Sequence, residues 1–197
     1  MLETADPDLL VAVELHTKAA DVIAARFPQH HLVPARGYSG WGFAGRYPMQ
    51  VEAARGWDRG GAATVQVDDT TLHVAGAHIL DPMHRPWRAT SAIRARQVDA
   101  LIEWGDSLPA GDPQLVAGDF NATPLWNVYR RLATRWDDLV ASGSPGTRPL
   151  RTWGIPRGLR FLRIDHVLGS GVVATSNRVM RVRGSDHAMV VVDLDFP

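Results

Sequence analysis

Apolar residues in this chain fall into short runs and alternating patterns that predict a strand-rich α/β domain. Leu9 to Leu15 reads as a strand carrying Glu14 at its end, and Thr17 is placed to cap a helix with Ala20, Ile23, Ala24 and Phe27 at helical spacing. From His31 to His78 the pattern is of strands broken by Gly and Pro: Leu32-Val33, Gly42 to Arg46, Val51 to Ala54, Ala63 to Val67 and Thr71 to His78. Asp68-Asp69-Thr70 forms the turn between the last two. Asp81 to Thr90 reads as a loop and Ser91 to Trp104 as a helix with Ile93, Val98, Leu101 and Ile102 inward. A buried strand at Leu115-Val116-Ala117 leads through Gly118 to Pro124 into a helix over Leu125 to Leu132. Thr134 to Arg163, dominated by Gly, Pro and Arg, reads as a long surface loop with a short strand near Thr152-Trp153. Strand patterns follow at Arg163 to Leu168, Val172 to Val182 and Ala188 to Val192.

Polar residues at the ends of these runs carry the candidate chemistry. Alternate side chains of an extended backbone point the same way, so Asp119 and Asn121 project together while Phe120 turns towards the packing. A hard cation or a phosphate oxygen fits between them. Asp165 is embedded in one strand pattern, and Gly184-Ser185-Asp186-His187 precedes another. A carboxylate such as Glu14 at the end of an apolar strand is costly to bury without a partner, which a cation would satisfy. Oxygen ligands of this kind select Mg²⁺ or Mn²⁺ over zinc. Gly169-Ser170-Gly171-Val172-Val173-Ala174 fits the outline of a dinucleotide fingerprint, but a strand follows it where that motif needs a helix.

In order and approximate spacing these segments resemble the endonuclease/exonuclease/phosphatase superfamily, with its deoxyribonuclease-I-like fold. Asp8 to Glu14 resembles its metal-ligand strand, Gly42 to Pro48 its second-layer hairpin, Ala77 to Pro82 its catalytic histidine strand, and Arg96-Gln97 its following helix. The resemblance implies an α/β, four-layer α/β/β/α sandwich of two mixed, mainly antiparallel sheets flanked by helices, with residues 1–197 as one domain. It implies a divalent-metal-dependent phosphodiester hydrolase, leaning to nuclease, with a phospholipid, inositol-phosphate or other phosphoesterase as the alternative. The metal ligands it implies are Glu14, Asp119 and Asp186. His187 pairs with Asp165 as general base or phosphate-binding cation, Asp119 is the rival base, Asn121 orients the nucleophile or a phosphate oxygen, and His78 contacts the phosphate. Val13 and Gly45 stand where the family often has glutamine and serine. The family's first strand and helix, with a metal-site asparagine, are not recognisable before Pro7. The domain is therefore expected to be N-terminally incomplete, with an unpaired strand edge beside Glu14, and a non-catalytic binding module is the rival reading.

Composition changes little in this picture. Opposite charges balance at 21 each, so overall charge does not select a polyanionic partner. Every basic residue except Lys18 is arginine, and the guanidinium groups concentrate in two stretches. One holds Arg85, Trp87 and Arg88; the other holds Arg148, Arg151, Trp153, Arg157, Arg160, Phe161 and Arg163. Arg85, Arg88, Trp153 and Arg160 are the expected substrate contacts, for a phosphate backbone with unstacked bases or for phospholipid head groups. Absence of cysteine excludes a disulfide framework, a thiolate zinc site and a cysteine nucleophile. No window is apolar enough to span a membrane, and no secretory signal opens the chain. A monomer is expected, cytoplasmic as the chain stands, or membrane-tethered or exported if an upstream segment is missing.

Overall fold

A computed structural model describes residues 2–142, 150–155 and 159–197. In chain order its elements are α1 (Leu2–Ala5), β1 (Leu9–Val13), α2 (Thr17–Ala24), β2 (Gln29–Val33), β3 (Trp41–Gly45), β4 (Met49–Ala53), β5 (Gly60–Val67), β6 (Thr70–His78) and α3 (Trp87–Asp106). There follow β7 (Gln114–Asp119), α4 (Asn127–Leu132), β8 (Asp137–Asp138), α5 (Leu139–Ser142), β9 (Trp153–Gly154), β10 (Arg160–Leu162), β11 (Asp165–Ser170), β12 (Val173–Arg181) and β13 (Ala188–Asp195). Six strands make the main sheet in the order β4-β5-β6-β7-β11-β8, antiparallel except for the central β6–β7 pair. Facing it are a β1-β3-β2 sheet and the β12–β13 hairpin.

Strand alternation divides the apolar residues among three cores and so produces four layers. On β6, Leu72 and Val74 join Phe43 of β3 between the sheets, whereas Ala75 and Ala77 join Val98 and Leu101 of α3 and Leu132 of α4 on the opposite face. On the outer face of β1-β3-β2, Ala44 packs with Ala20, Ile23 and Phe27 at α2. The α/β/β/α order is thus helices α3 and α4, main sheet, second layer, α2. Both faces of β6 are covered, and its residues from Leu72 onward are buried.

Several element ends differ from the sequence expectation. α3 begins at Trp87 because Pro86 holds the N-cap position and Thr90 Oγ1 donates to the Pro86 and His84 carbonyls. His16, without a side-chain cap bond, holds the N-cap of α2, so Thr17 is helical and does not cap. α4 starts at Asn127, leaving Leu125 exposed. The stretch expected to be a loop from Thr134 contains β8, α5 and β10 as well as β9, which falls where the short strand near Thr152-Trp153 was expected, while Arg148 and Arg157 lie outside the described residues. Among the described residues β1 pairs only with β3, and β13 only with β12.

Candidate active site

Sheet register brings the catalytic candidates into one row. His78 ends β6 directly opposite Asp119 on β7, and Asp119 in turn pairs with Asp165 at the start of β11. All three share the strand face of Val74, Leu115 and Val167, towards the space between the two sheet layers. Phe120 and His166 have the opposite parity and stack on the helix side, with ring centroids 5.1 Å apart. Gly118 permits the close β6–β7 approach: its φ is +141°, and a Cβ there would lie 2.1 Å from the Ala77 carbonyl oxygen. From the second layer, Glu14 follows β1 and His187 precedes β13. Glu14 and Asn121 both have left-handed backbones, with φ of 53° and 46°. Asparagine adopts that conformation readily; for glutamate it is strained, as residues at functional sites often are.

The polar contacts fix ring tautomers. His78 Nδ1 is 3.0 Å from the Tyr38 carbonyl oxygen, which only accepts, so Nδ1 carries the proton and Nε2 presents a lone pair. That lone pair faces the Asn121 amide nitrogen at 3.2 Å, Glu14 at 3.6 Å and Asp119 at 3.8 Å. Burial drives the His78 pKa down to about 4, keeping the ring neutral. Asn121 also donates from its backbone and its amide to Asp119, at 2.7 and 3.1 Å. His187 Nδ1 lies 3.0 Å from both Asp165 oxygens, and its Nε2 is 4.0 Å from Asp119. Burial pulls His187 down, but the Asp165 hydrogen bond and charge outweigh it and carry the pKa to about 9. Glu14 and Asp119 are both pushed up, chiefly by burial and then by neighbouring carboxylates, with the His187 charge opposing.

Of the expected site residues, Glu14, His78, Asn121, Asp119, Asp165 and His187 converge. Asp186 stands beside them, its charge acting on Glu14 and His187, with Oδ2 accepting from Trp153 Nε1 at 3.1 Å. Trp153 therefore braces Asp186. Arg160 donates to the His187 carbonyl at 3.3 Å, and its buried Nε has no partner. Arg85 and Arg88 are exposed, the former 5.8 Å over the Trp87 ring. Arg163 is taken up by Asp138 in a two-pronged ion pair at 3.0 and 2.6 Å.

Two residues that sequence reasoning missed hold this framework. Buried Arg94 of α3 donates to the carbonyls of Leu80 and Asn121, joining the chain just beyond His78 to that just beyond Asp119. Buried Thr152 accepts from the backbone N–H groups of Ile164 and Asp165, at 3.1 Å each. The signal for Arg94 was its place in the Val98 and Leu101 stripe with Gln97, whose side chain accepts from Leu80 N at 3.0 Å.

The profile of the Endonuclease/Exonuclease/phosphatase family matches residues 1–187. The chain belongs to this family. Its name joins nucleases with phosphatases, so the chain is a phosphoesterase of that superfamily. No curated protein sequence matches significantly. Among solved structures, a 3′ phosphatase from Neisseria bound to a product DNA hairpin superposes with a TM-score of 0.78 at 19% identity, over 98% of this chain and 91% of that one. The human Nocturnin catalytic domain with a bound sulfate anion gives 0.70 at 18% identity, over 100% and 83%. A mannosyl-6-phosphatase from Bacteroides thetaiotaomicron gives 0.73 at 15% identity, over 100% and 88%. These likenesses establish the deoxyribonuclease-I-like fold.

In this family member the donor set fits a metal ion. Ligand atoms of Glu14, His78 and Asp119 lie within 4.8 Å of one another, as do those of Asp119, Asp165 and His187. Four carboxylates face one imidazolium, and the two most crowded are pushed up, which is the condition a cation relieves. Asp186 belongs to neither group of three.

Proposed function

We propose that this site hydrolyses phosphodiesters with Mg²⁺ or Mn²⁺ held by Glu14 and Asp119, with Asp186 alongside. The observation that carries the reading is the Asp165–His187 pair at 3.0 Å, aimed past Asp119 and adjoining the Glu14, His78 and Asp119 cluster. When bound, the cation supplies positive charge to the phosphate oxygens. Asp165 holds Nδ1–H of His187, so Nε2–H points outward and donates to a non-bridging oxygen. Asp119 takes the proton of the attacking water, oriented by Asn121, whose amide it already accepts from. As the water oxygen bonds to phosphorus the ester P–O bond opposite it breaks, and the departing oxygen takes a proton from solvent. His78 accepts from the Asn121 amide at Nε2, and the same lone pair would be available to a bound cation beside Glu14 and Asp119.

Nucleic acid and phospholipid are the two phosphodiesters that the surrounding loops suit. Arg85 over Trp87 and the unpartnered Nε of Arg160 support the lean to nuclease. The test is hydrolysis of an aryl phosphodiester beside plasmid nicking, with Mg²⁺ or Mn²⁺ and then EDTA. Activity that needs the metal and disappears in Asp119→Ala and His187→Ala is expected. Turnover persisting in either variant, or in EDTA, refutes the site. Nicked plasmid distinguishes endonuclease from exonuclease action.

A further inference from the structure

Asp165 and His187 meet from two strands that share no ladder among the described residues. β11 belongs to the main sheet and β13 to the β12–β13 hairpin, so sheet register alone does not hold the 3.0 Å contact between them. Thr152, just before β9, stands between the two segments and is 0% exposed. Its backbone N–H donates to the Leu162 carbonyl at 2.8 Å, and its own carbonyl accepts from Ala188 N, next to His187, at 2.7 Å. Its Oγ1 accepts from the N–H groups of Ile164 and Asp165 at 3.1 Å each. One residue therefore bonds to the backbone of the carboxylate on one side and to the backbone beside the imidazole on the other. β9 continues the clamp: Trp153 bridges to His187, and Gly154 N donates to the Asp186 carbonyl at 3.2 Å.

We propose that Thr152 is the positioning residue of the Asp165–His187 pair, setting the carboxylate against Nδ1 and so aiming Nε2–H at the phosphate; this rests on the hydrolytic reading above. Register with β7 begins at Asp165, and its N–H and that of Ile164 find their acceptor in one hydroxyl. A hydroxyl oxygen has two lone pairs, and both are used. Without it two backbone N–H groups lose their acceptor, and the chain entering β11 shifts to find another. A shift of about half an ångström is enough, because a contact of 3.0 Å then reaches the limit of hydrogen bonding. No bond of Thr152 goes to Glu14, His78 or Asp119, so the donor set for the cation stays in place. His187 acts on the phosphate as charge builds there, so its misalignment lowers kcat and leaves KM nearly unchanged.

The experiment compares three variants of the full chain. Thr152→Val keeps the branched shape and removes the acceptor, and Thr152→Ser keeps the acceptor. Thr152→Cys, with a weakly accepting thiol, is read in place of the valine variant if that one does not fold. Two quantities are measured: kcat and KM for an aryl phosphodiester at saturating Mg²⁺, and the Nδ1–H proton resonance of His187 in EDTA. In Thr152→Val kcat is expected to fall by about 10- to 100-fold with KM within about twofold, and the resonance to shift upfield or disappear by exchange. Thr152→Ser is expected to stay near wild type in all three. In an Asp165→Asn background Thr152→Val should cost little more, because its route to His187 is already cut. Wild-type kcat in Thr152→Val, an unmoved resonance, a serine variant as impaired as the valine one, or losses that multiply in the double variant each overturn the proposal. A wild-type chain that does not hydrolyse the ester removes the hydrolytic reading, and the resonance alone then decides whether Thr152 sets the pair.

Discussion

Replacing Asp165 by Asn keeps a hydrogen-bond acceptor for His187 Nδ1 and removes its charge, so it isolates what the carboxylate contributes. At roughly 1.4 kcal/mol per pH unit, a pKa held at about 9 against the usual 6.5 favours the imidazolium by about 3 kcal/mol. Because the folded value lies above the unfolded one, that stabilisation is complete below pH 6.5 and is lost as the pH rises through about 9. Burial, which alone would lower the pKa, is countered first by Asp165 and only then by Asp119 and Asp186. In Asp165→Asn the proton NMR titration of His187, followed in EDTA, is therefore expected to fall from about 9 to near 6.5 or below. The loss of stability between pH 6 and 10 shrinks correspondingly, and turnover at pH 7 drops on the order of 100-fold, partly recovering as the pH is lowered. A midpoint that stays near 9 would refute the reasoning and assign the held charge to Asp119 and Asp186.

Arg94→Met strands the Leu80 and Asn121 carbonyls; at about 1–3 kcal/mol for each unsatisfied group, less the relief of a buried charge, urea melts should show a loss of roughly 2–4 kcal/mol. Gly118→Ala forces a Cβ against Ala77 at φ +141° and should cost more than about 3 kcal/mol, whereas Gly111→Ala, with nothing within 4 Å, should cost only the backbone strain of about 1–2 kcal/mol. Thermal melts of the two compare them directly. Burial lowers the His166 pKa to about 4, below the unfolded 6.5, so its contribution to stability is intact above pH 6.5 and is lost as the pH falls towards 4. His166→Phe should flatten that acid limb by about 3 kcal/mol in denaturation at pH 7 and pH 4.

Much of the site was legible because strands put their information into alternation. Asp119 and Phe120, and Asp165 and His166, divide between opposite faces as neighbouring strand residues must, and the structure finds Phe120 and His166 stacked together on the helix side. Element ends were less legible: Pro86 starts α3 through bonds from Thr90, a local geometry that composition does not announce. Arg94 was missed for a related reason, since an arginine in an amphipathic helix ordinarily faces water, and only the two carbonyls at Leu80 and Asn121 explain why this one is buried.

By itself the sequence determined which side chains could do chemistry and which face of each strand they occupy, because period-2 geometry is a property of a single extended segment. It also determined the family, through the order of its segments. Only the tertiary structure decided that His78, Asp119 and Asp165 are neighbours, because register between strands far apart in the chain is set by packing of both sheet faces. It likewise decided that Arg163 belongs to Asp138 and Trp153 to Asp186, and that His187 is held charged while His78 is held neutral. Those assignments depend on burial and on distances of a few ångströms across the sandwich, which no linear spacing carries.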